Sequence, residues 1–376
     1  MKKVIKSLLK VLVSVSTFIF ILTAGVFAED FGEENELYKR QFEVSGAGEL
    51  NSNLPKGTSA ILEEFGIAPS NPEIIFSPDT QNIFSIISEF LTGGIKSPLK
   101  AALSIVGIIL ILSSVNGLIV TTAPNGISIF ICFVASMLTL EPIYSLMGSV
   151  SQAVKSLSSF MLSFVPIYSG IMLSGGKTAT AGGFSTLLLG AAETVTYIIS
   201  YFFVPIAGGA MCLGICGGIS PVSGLSRLSE WIKKSANWAM GITTTLFLSI
   251  LSIQNTVAAA SDTVGMRTSK AVISTTIPVM GPAIAETLNT AKSCLSLLRS
   301  GVGIYAVAAI LVIALPIITE LILWRFSMWI TSAVAEMFGL PCAVSLFRSV
   351  DFALSILLGA VLFTALLFII SLAISI

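Results

Sequence analysis

Histidine is absent from all 376 residues. That removes imidazole acid–base chemistry, the Ser–His and Cys–His pairs, and the commonest metal ligand together. Charge is scarce too, at 11% of residues, against roughly a quarter in a soluble domain. With 54% hydrophobic residues and a mean hydropathy of +0.94, the chain has too little charge to cover a water-facing surface of its size. Beyond residue 95 the only aspartates are Asp262 and Asp351, neither in the middle of a strong apolar run. This leaves no apposed aspartates for proteolysis within a membrane. No basic patch is interleaved with aromatics, so nucleic-acid binding has no support. The five cysteines, Cys132, Cys212, Cys216, Cys294 and Cys342, lie in or beside apolar segments and read as small core residues. No cofactor is implied. The run Gly170 to Thr178 carries one residue too many between its first glycine and Lys177 for a phosphate-binding loop, so any nucleotide use must come from a partner.

What is present is a succession of uncharged apolar runs. About 20 such residues, at about 1.5 Å each, match the roughly 30 Å core of a bilayer. The chain reads as all-α: a polytopic transmembrane helical bundle of about seven or eight spans with broken or re-entrant segments. Residues 1–28 have the form of a signal peptide, with Lys2, Lys3, Lys6 and Lys10, an apolar stretch, and small residues before Glu29. Residues 29–95 hold 12 of the 20 acids and three bases, and read as an acidic extracytoplasmic segment broken by Pro55, Pro69, Pro72 and Pro78. Residues 96–376 form the membrane domain. Its expected spans are 101–120 and 127–147, separated by the turn chemistry of Thr121 to Gly126. Next come 156–174, two spans on either side of Pro205, 301–323, a marginal 326–346, and 352–376. Gly214 and Gly218 have the spacing of close helix contact. Residues 221–237 resemble an interfacial helix, and its bases Arg227, Lys233 and Lys234 favour the cytoplasmic side.

The stretch from Trp238 to Gly303 organises the rest. It holds an uncharged run from Ala239 to Ser261, a polar crossing from Asp262 to Lys270, and a segment broken by Pro278, Gly281 and Pro282. Such broken segments persist at membrane depth only under cover of protein or water. A faint internal repeat, 150–258 against 262–376, pairs Pro166 with Pro278 and Pro205 with Pro316 at spacings of 112 and 111 residues. Repeats of this kind flank a central site in transporters. An ionisable group in lipid marks a pathway or a buried pair. The candidate pathway or assembly residues are Glu193, Gln254, Asp262, Arg267, Lys270, Pro278 and Glu320. Asp262, with Arg267 and Lys270, reads as a solvated loop cluster or a partner contact.

The run Gly241-Ile242-Thr243 through Ser252-Ile253-Gln254, with Ala258 to Ala260, Asp262, Arg267 to Lys270, and Ile277-Pro278-Val279, closely resembles the stage III sporulation protein AE family. The resemblance covers about 60 residues in detail, and the layout of signal peptide, acidic segment and polytopic body matches as well. It implies the polytopic subunit of a channel or secretion-like complex joining mother cell and forespore, set in the mother-cell membrane around the forespore. It further implies partner subunits that include a cytoplasmic ATPase acting in trans, and a role by assembly without catalysis. The contrasting expectation, from the residues alone, is an autonomous secondary transporter coupling ions through carboxylates such as Glu193 and Glu320.

Overall fold

A computed structural model describes residues 35–51, 54–64, 96–118, 124–219, 224–276 and 281–375. The signal-peptide stretch and Pro278 lie outside the described residues. Every element among those described is helical. Two short helices, α1 (Asn35–Ser45) and α2 (Lys56–Glu64), flank a 3₁₀ turn at Ala47–Leu50. Six longer ones follow: α3 (Lys96–Leu118), α4 (Pro124–Ser174), α5 (Thr178–Ile198), α7 (Gly224–Thr276), α8 (Gly281–Met337) and α9 (Pro341–Ser375). Between α5 and α7, a π-turn at Ile199–Phe203 leads directly into α6 (Val204–Ile219). Among the described residues, five stretches are long and apolar enough to cross a membrane: Cys132–Ser174, Thr178–Cys216, Lys234–Gly265, Ser293–Met337 and Pro341–Ser375.

The structure fuses segments that the sequence separates. The expected spans 127–147 and 156–174 are one helix, α4, because neither Pro142 nor Pro166 ends it. Its 51 residues reach about 75 Å, far beyond a bilayer core, so it crosses once with turns to spare. The two spans expected around Pro205 are also continuous. A proline in a helix clashes with the carbonyl four residues back and donates no N–H. Here that carbonyl belongs to Tyr201, inside the π-turn, where the wider turn absorbs the conflict. From Gly224 on, the interfacial piece is the first part of α7; 301–323 lies within α8, while the expected 326–346 runs from the end of α8 through the Gly339 turn into the start of α9.

Two turns do end helices cleanly. Gly176, with φ 79°, follows α4: its N–H donates to Leu173 O (2.9 Å), and Lys177 N–H donates to Met172 O (3.0 Å). Gly339, with φ 65°, follows α8 in the same way, through Gly339 N–H to Glu336 O and Leu340 N–H to Ala335 O, both 3.1 Å. These are Schellman closures, in which a left-handed glycine satisfies the last carbonyls at no Cβ cost. Both pin sharp reversals, α4 into α5 and α8 into α9.

The core is built on α9, α8 and α4, with Trp324, Tyr168, Tyr305, Phe160, Phe164, Phe347 and Phe368 fully buried. Close approach uses small residues: a Cβ at Gly214 on α6 would collide with Ser349 of α9. Helices α4 and α5 are laced by hydroxyls. Ser158 Oγ lies within hydrogen-bond distance of Thr196 Oγ1 and donates to Ala192 O (2.9 Å), and Ser151 meets Ser200 (3.2 Å). The acidic segment is seated on the bundle, with Ala47, Leu50, Leu54 and Leu62 joining the core. Tyr305 of α8 donates to Asn51 Oδ1 (3.3 Å), and Asn51 donates to Glu63 (2.7 Å). Of the cysteines, Cys132, Cys294 and Cys342 are buried as expected. Cys212 and Cys216 are exposed on α6, contrary to the core reading.

Candidate functional site

Three helices meet where α5 begins and α9 ends, and α7 runs past both. The first four N–H groups of a helix have no partner within it. At the start of α5 the capping position is Lys177, which makes no side-chain cap bond. Asp262 of α7 supplies what is missing. Its Oδ1 accepts from Ala179 N–H (2.8 Å), and its Oδ2 accepts from Thr180 N–H (3.0 Å) and Thr180 Oγ1 (2.6 Å). The carboxylate is 8% exposed, so it sits where an unmet amide is costly and where the positive end of the helix dipole favours it. This corrects the loop expectation: Asp262 is inside a continuous helix and buried against its neighbour.

Seven residues earlier on α7, two turns along one face, Asn255 does the complementary job. Its Nδ2 donates to Ile374 O (2.8 Å), meeting one of the last carbonyls of α9. Gln254 lies beside it, over Gly183 of α5, where any Cβ would strike the Gln254 amide. Thr180, Gln254, Asn255, Ser371 and Ser375 line a narrow cleft of about 10 Å³ at this junction.

Two cations complete the cluster. Arg299 of α8 is 7% exposed, and its Nε has no hydrogen-bond partner among the described residues. It stands beside the fully buried Tyr168. Lys177, in the turn before α5, feels both Arg299 and Asp262. Burial and then Arg299 hold its ammonium below the usual lysine range, and Asp262 offsets them in part. Asp262 answers the charge on Lys177, which in turn faces the second cation, Arg299. Among the described residues, no group of three or more His, Cys, Asp or Glu could hold a metal ion.

The remaining candidates are dispersed. Arg267 and Lys270 lie on the backbone of α7, but their side chains are outside the described residues. Glu193 is exposed on α5. Glu320 is half-buried in a different place, an open groove between α4, α8 and the acidic segment that it shares with Gln152, Ser149, Ser156 and Thr58. Farther along α8, Arg325 Nε donates to Asp351 Oδ1 of α9 (2.8 Å), and Arg348 pairs loosely with Glu336 (3.5 Å). Sequence reasoning found Gln254 and Asp262 but missed Asn255, Lys177 and Arg299. The one signal for Asn255 was its seven-residue spacing from Asp262. Nothing in the sequence pointed to Arg299.

Residues 76–376 match the family model described as stage III sporulation protein AE, and the matched region contains the whole junction. The chain belongs to the stage III sporulation protein AE family. A curated relative, "Stage III sporulation protein AE" of Bacillus subtilis (strain 168), is 26% identical over 269 residues. The match covers 71% of this chain and 66% of that relative, so the chain spans just under two thirds of the relative's length. No solved structure matches. For a stage III sporulation protein AE family member, the junction is thus first of all a device for closing helix ends within the apolar body.

Proposed function

We propose that this chain is the polytopic membrane subunit of a mother-cell-to-forespore channel or secretion-like complex needed for endospore development, and that it acts by assembly. The family supplies the sporulation role. The observation that carries the assembly reading is the outer side of α7. Thr245, Ser249, Ser252, Thr256, Ala259 and Thr263 recur at alternating steps of four and three, and all are exposed. That spacing lays a seam of small side chains along one side, suited to close packing of a left-handed helix pair. Thr245, Ser249, Thr256 and Thr263 each donate to the carbonyl four residues back, so these four hydroxyls are already engaged and the seam offers mainly shape. The occupant in this reading is a helix of a neighbouring subunit. Energy from nucleotide hydrolysis would enter through a cytoplasmic ATPase bound in trans.

The test is a fluorescent fusion followed through sporulation. It should appear after sporulation begins and collect in the mother-cell membrane around the forespore. Synthesis in vegetative cells, with signal over the whole envelope, would sink the reading. The transporter alternative needs Glu193 and Glu320 to share a pathway, yet they occupy separate surfaces. Glu320 has polar company in its groove, so flux surviving Glu320→Gln in reconstituted vesicles removes that mechanism.

A further inference from the structure

Glu320 lies within the Ser293–Met337 stretch, where an unpaired charge is costly. Among the described residues it makes no hydrogen bond and no ion pair. The groove it lines measures about 530 Å³, within the roughly 300–1,000 Å³ of small-molecule sites. Three parts of the chain wall it. On α4, Ser149, Gln152 and Ser156 recur at steps of three and four and so share one side. On α8, Ile313, Pro316, Ile317 and Glu320 share another. Pro55 and Thr58, at the start of α2, come from the acidic segment with its 12 acids and three bases. The side chains of Ser149, Gln152, Ser156 and Thr58 also make no hydrogen bond among the described residues, although Thr58 is only 7% exposed.

We propose that this groove is a binding site for a small alkylammonium, a primary ammonium on an aliphatic stem. A single carboxylate calls for a single positive charge. The acceptors around it, three hydroxyl oxygens and the Gln152 carbonyl, suit a head with several N–H groups, and a primary ammonium has three. Ala153, Ile313, Pro316 and Ile317 give the stem an apolar wall. Two other kinds of cation fit less well. A quaternary ammonium donates no hydrogen bond and is held by aromatic cages, and no lining residue is aromatic. A metal ion such as calcium or magnesium gathers about six or more oxygens close around it, and would leave the apolar wall and most of the volume unused. The net negative charge of the segment that supplies the third wall concentrates cations nearby. Binding here requires neither flux nor Glu193, and it does not rest on the assembly reading.

The test is thermal unfolding of the full chain in detergent, in butylammonium, tetramethylammonium or sodium chloride at equal ionic strength. A ligand that binds only the folded state raises the midpoint with its concentration. Butylammonium should raise it above both other salts, and Glu320→Gln should abolish the difference. Saturation-transfer NMR gives a readout that does not involve unfolding: signal should pass from the wild-type chain to butylammonium and not to tetramethylammonium. Ser156→Val should weaken butylammonium binding roughly tenfold, about the value of one hydrogen bond to a charged group. Equal midpoints in the three salts overturn the proposal. So does a sodium response that matches butylammonium, or a butylammonium shift that survives Glu320→Gln. If Glu320→Gln does not fold, the wild-type NMR and Ser156→Val decide: absent transfer, or unchanged affinity, overturns it.

Discussion

Helices α7 and α9 are both long enough to cross a membrane, yet they occupy opposite situations. In its most apolar window α9 is 67% buried, while α7 is 18% buried. The more apolar helix is inside and the more polar one is on the rim, yet in a membrane the hydrophobic effect does not by itself impose that order. Lipid is itself apolar, so a helix gains little by hiding leucines from it. Packing and hydrogen bonds decide which helices go inside. Helix α9 offers small and aromatic side chains that interlock, among them Ala353, Ala360, Phe347 and Phe368. Helix α7 contributes by reaching inward with a few polar groups, Gln254, Asn255 and Asp262, while its other side stays open.

That contrast makes Asp262→Ala the most damaging change expected on α7. It strands two α5 amides and a hydroxyl in a buried setting, for a loss of about 3 kcal/mol. Thermal unfolding in detergent would read it, with Asp262→Asn losing less because one acceptor remains. Packing comes next. Leu357→Ala on α9 should cost about 2 kcal/mol through the cavity it leaves, while Leu246→Ala on α7, 59% exposed, should cost under about 0.5 kcal/mol. Equal losses at the two sites would erase the distinction between inner and outer helix. Asn255→Ala should cost about 1 kcal/mol, since the Ile374 carbonyl loses its donor at the frayed end of α9. Ser252→Trp should leave unfolding unchanged and abolish co-purification of partner subunits. Intact complexes would remove the seam from the assembly reading.

The smallest effect belongs to Lys177. Its folded-state pKa is lowered, so in the window below the ordinary lysine value of about 10.4 the unfolded chain binds more protons than the folded one. Stability should therefore rise as pH climbs through that window, and Lys177→Met should flatten the slope. A slope unchanged in the variant would remove Arg299 and burial as its cause.

The helical class and the membrane setting were legible because long uncharged runs admit no other economy. Helix boundaries were less so. The expected spans 127–147 and 156–174 were read as separate, yet they form one helix in which Pro142 and Pro166 both lie, as Pro316 lies inside α8. The left-handed Gly176 falls just past the expected end of the 156–174 span, whereas the left-handed Gly339 falls inside the expected 326–346 span. Asp262 was singled out as an ion in an apolar region. Its role depends on the start of α5, more than 80 residues away, and no local pattern contains that information. Arg299 was invisible for the same reason: its neighbours Tyr168 and Lys177 lie more than 120 residues away in the chain.

The wide turn at Ile199–Phe203 has one more effect. The residues facing the bundle there are Val195, Ile199, Phe203 and Ala207, each four apart. On an ordinary spiral of about 100° per residue, three such steps would carry the last of them roughly a third of a revolution away from the first. The extra residue gives back nearly all of that drift. The turn therefore works as a phase correction, keeping α5 and α6 pressed to the same neighbours along a rod that would otherwise roll off them.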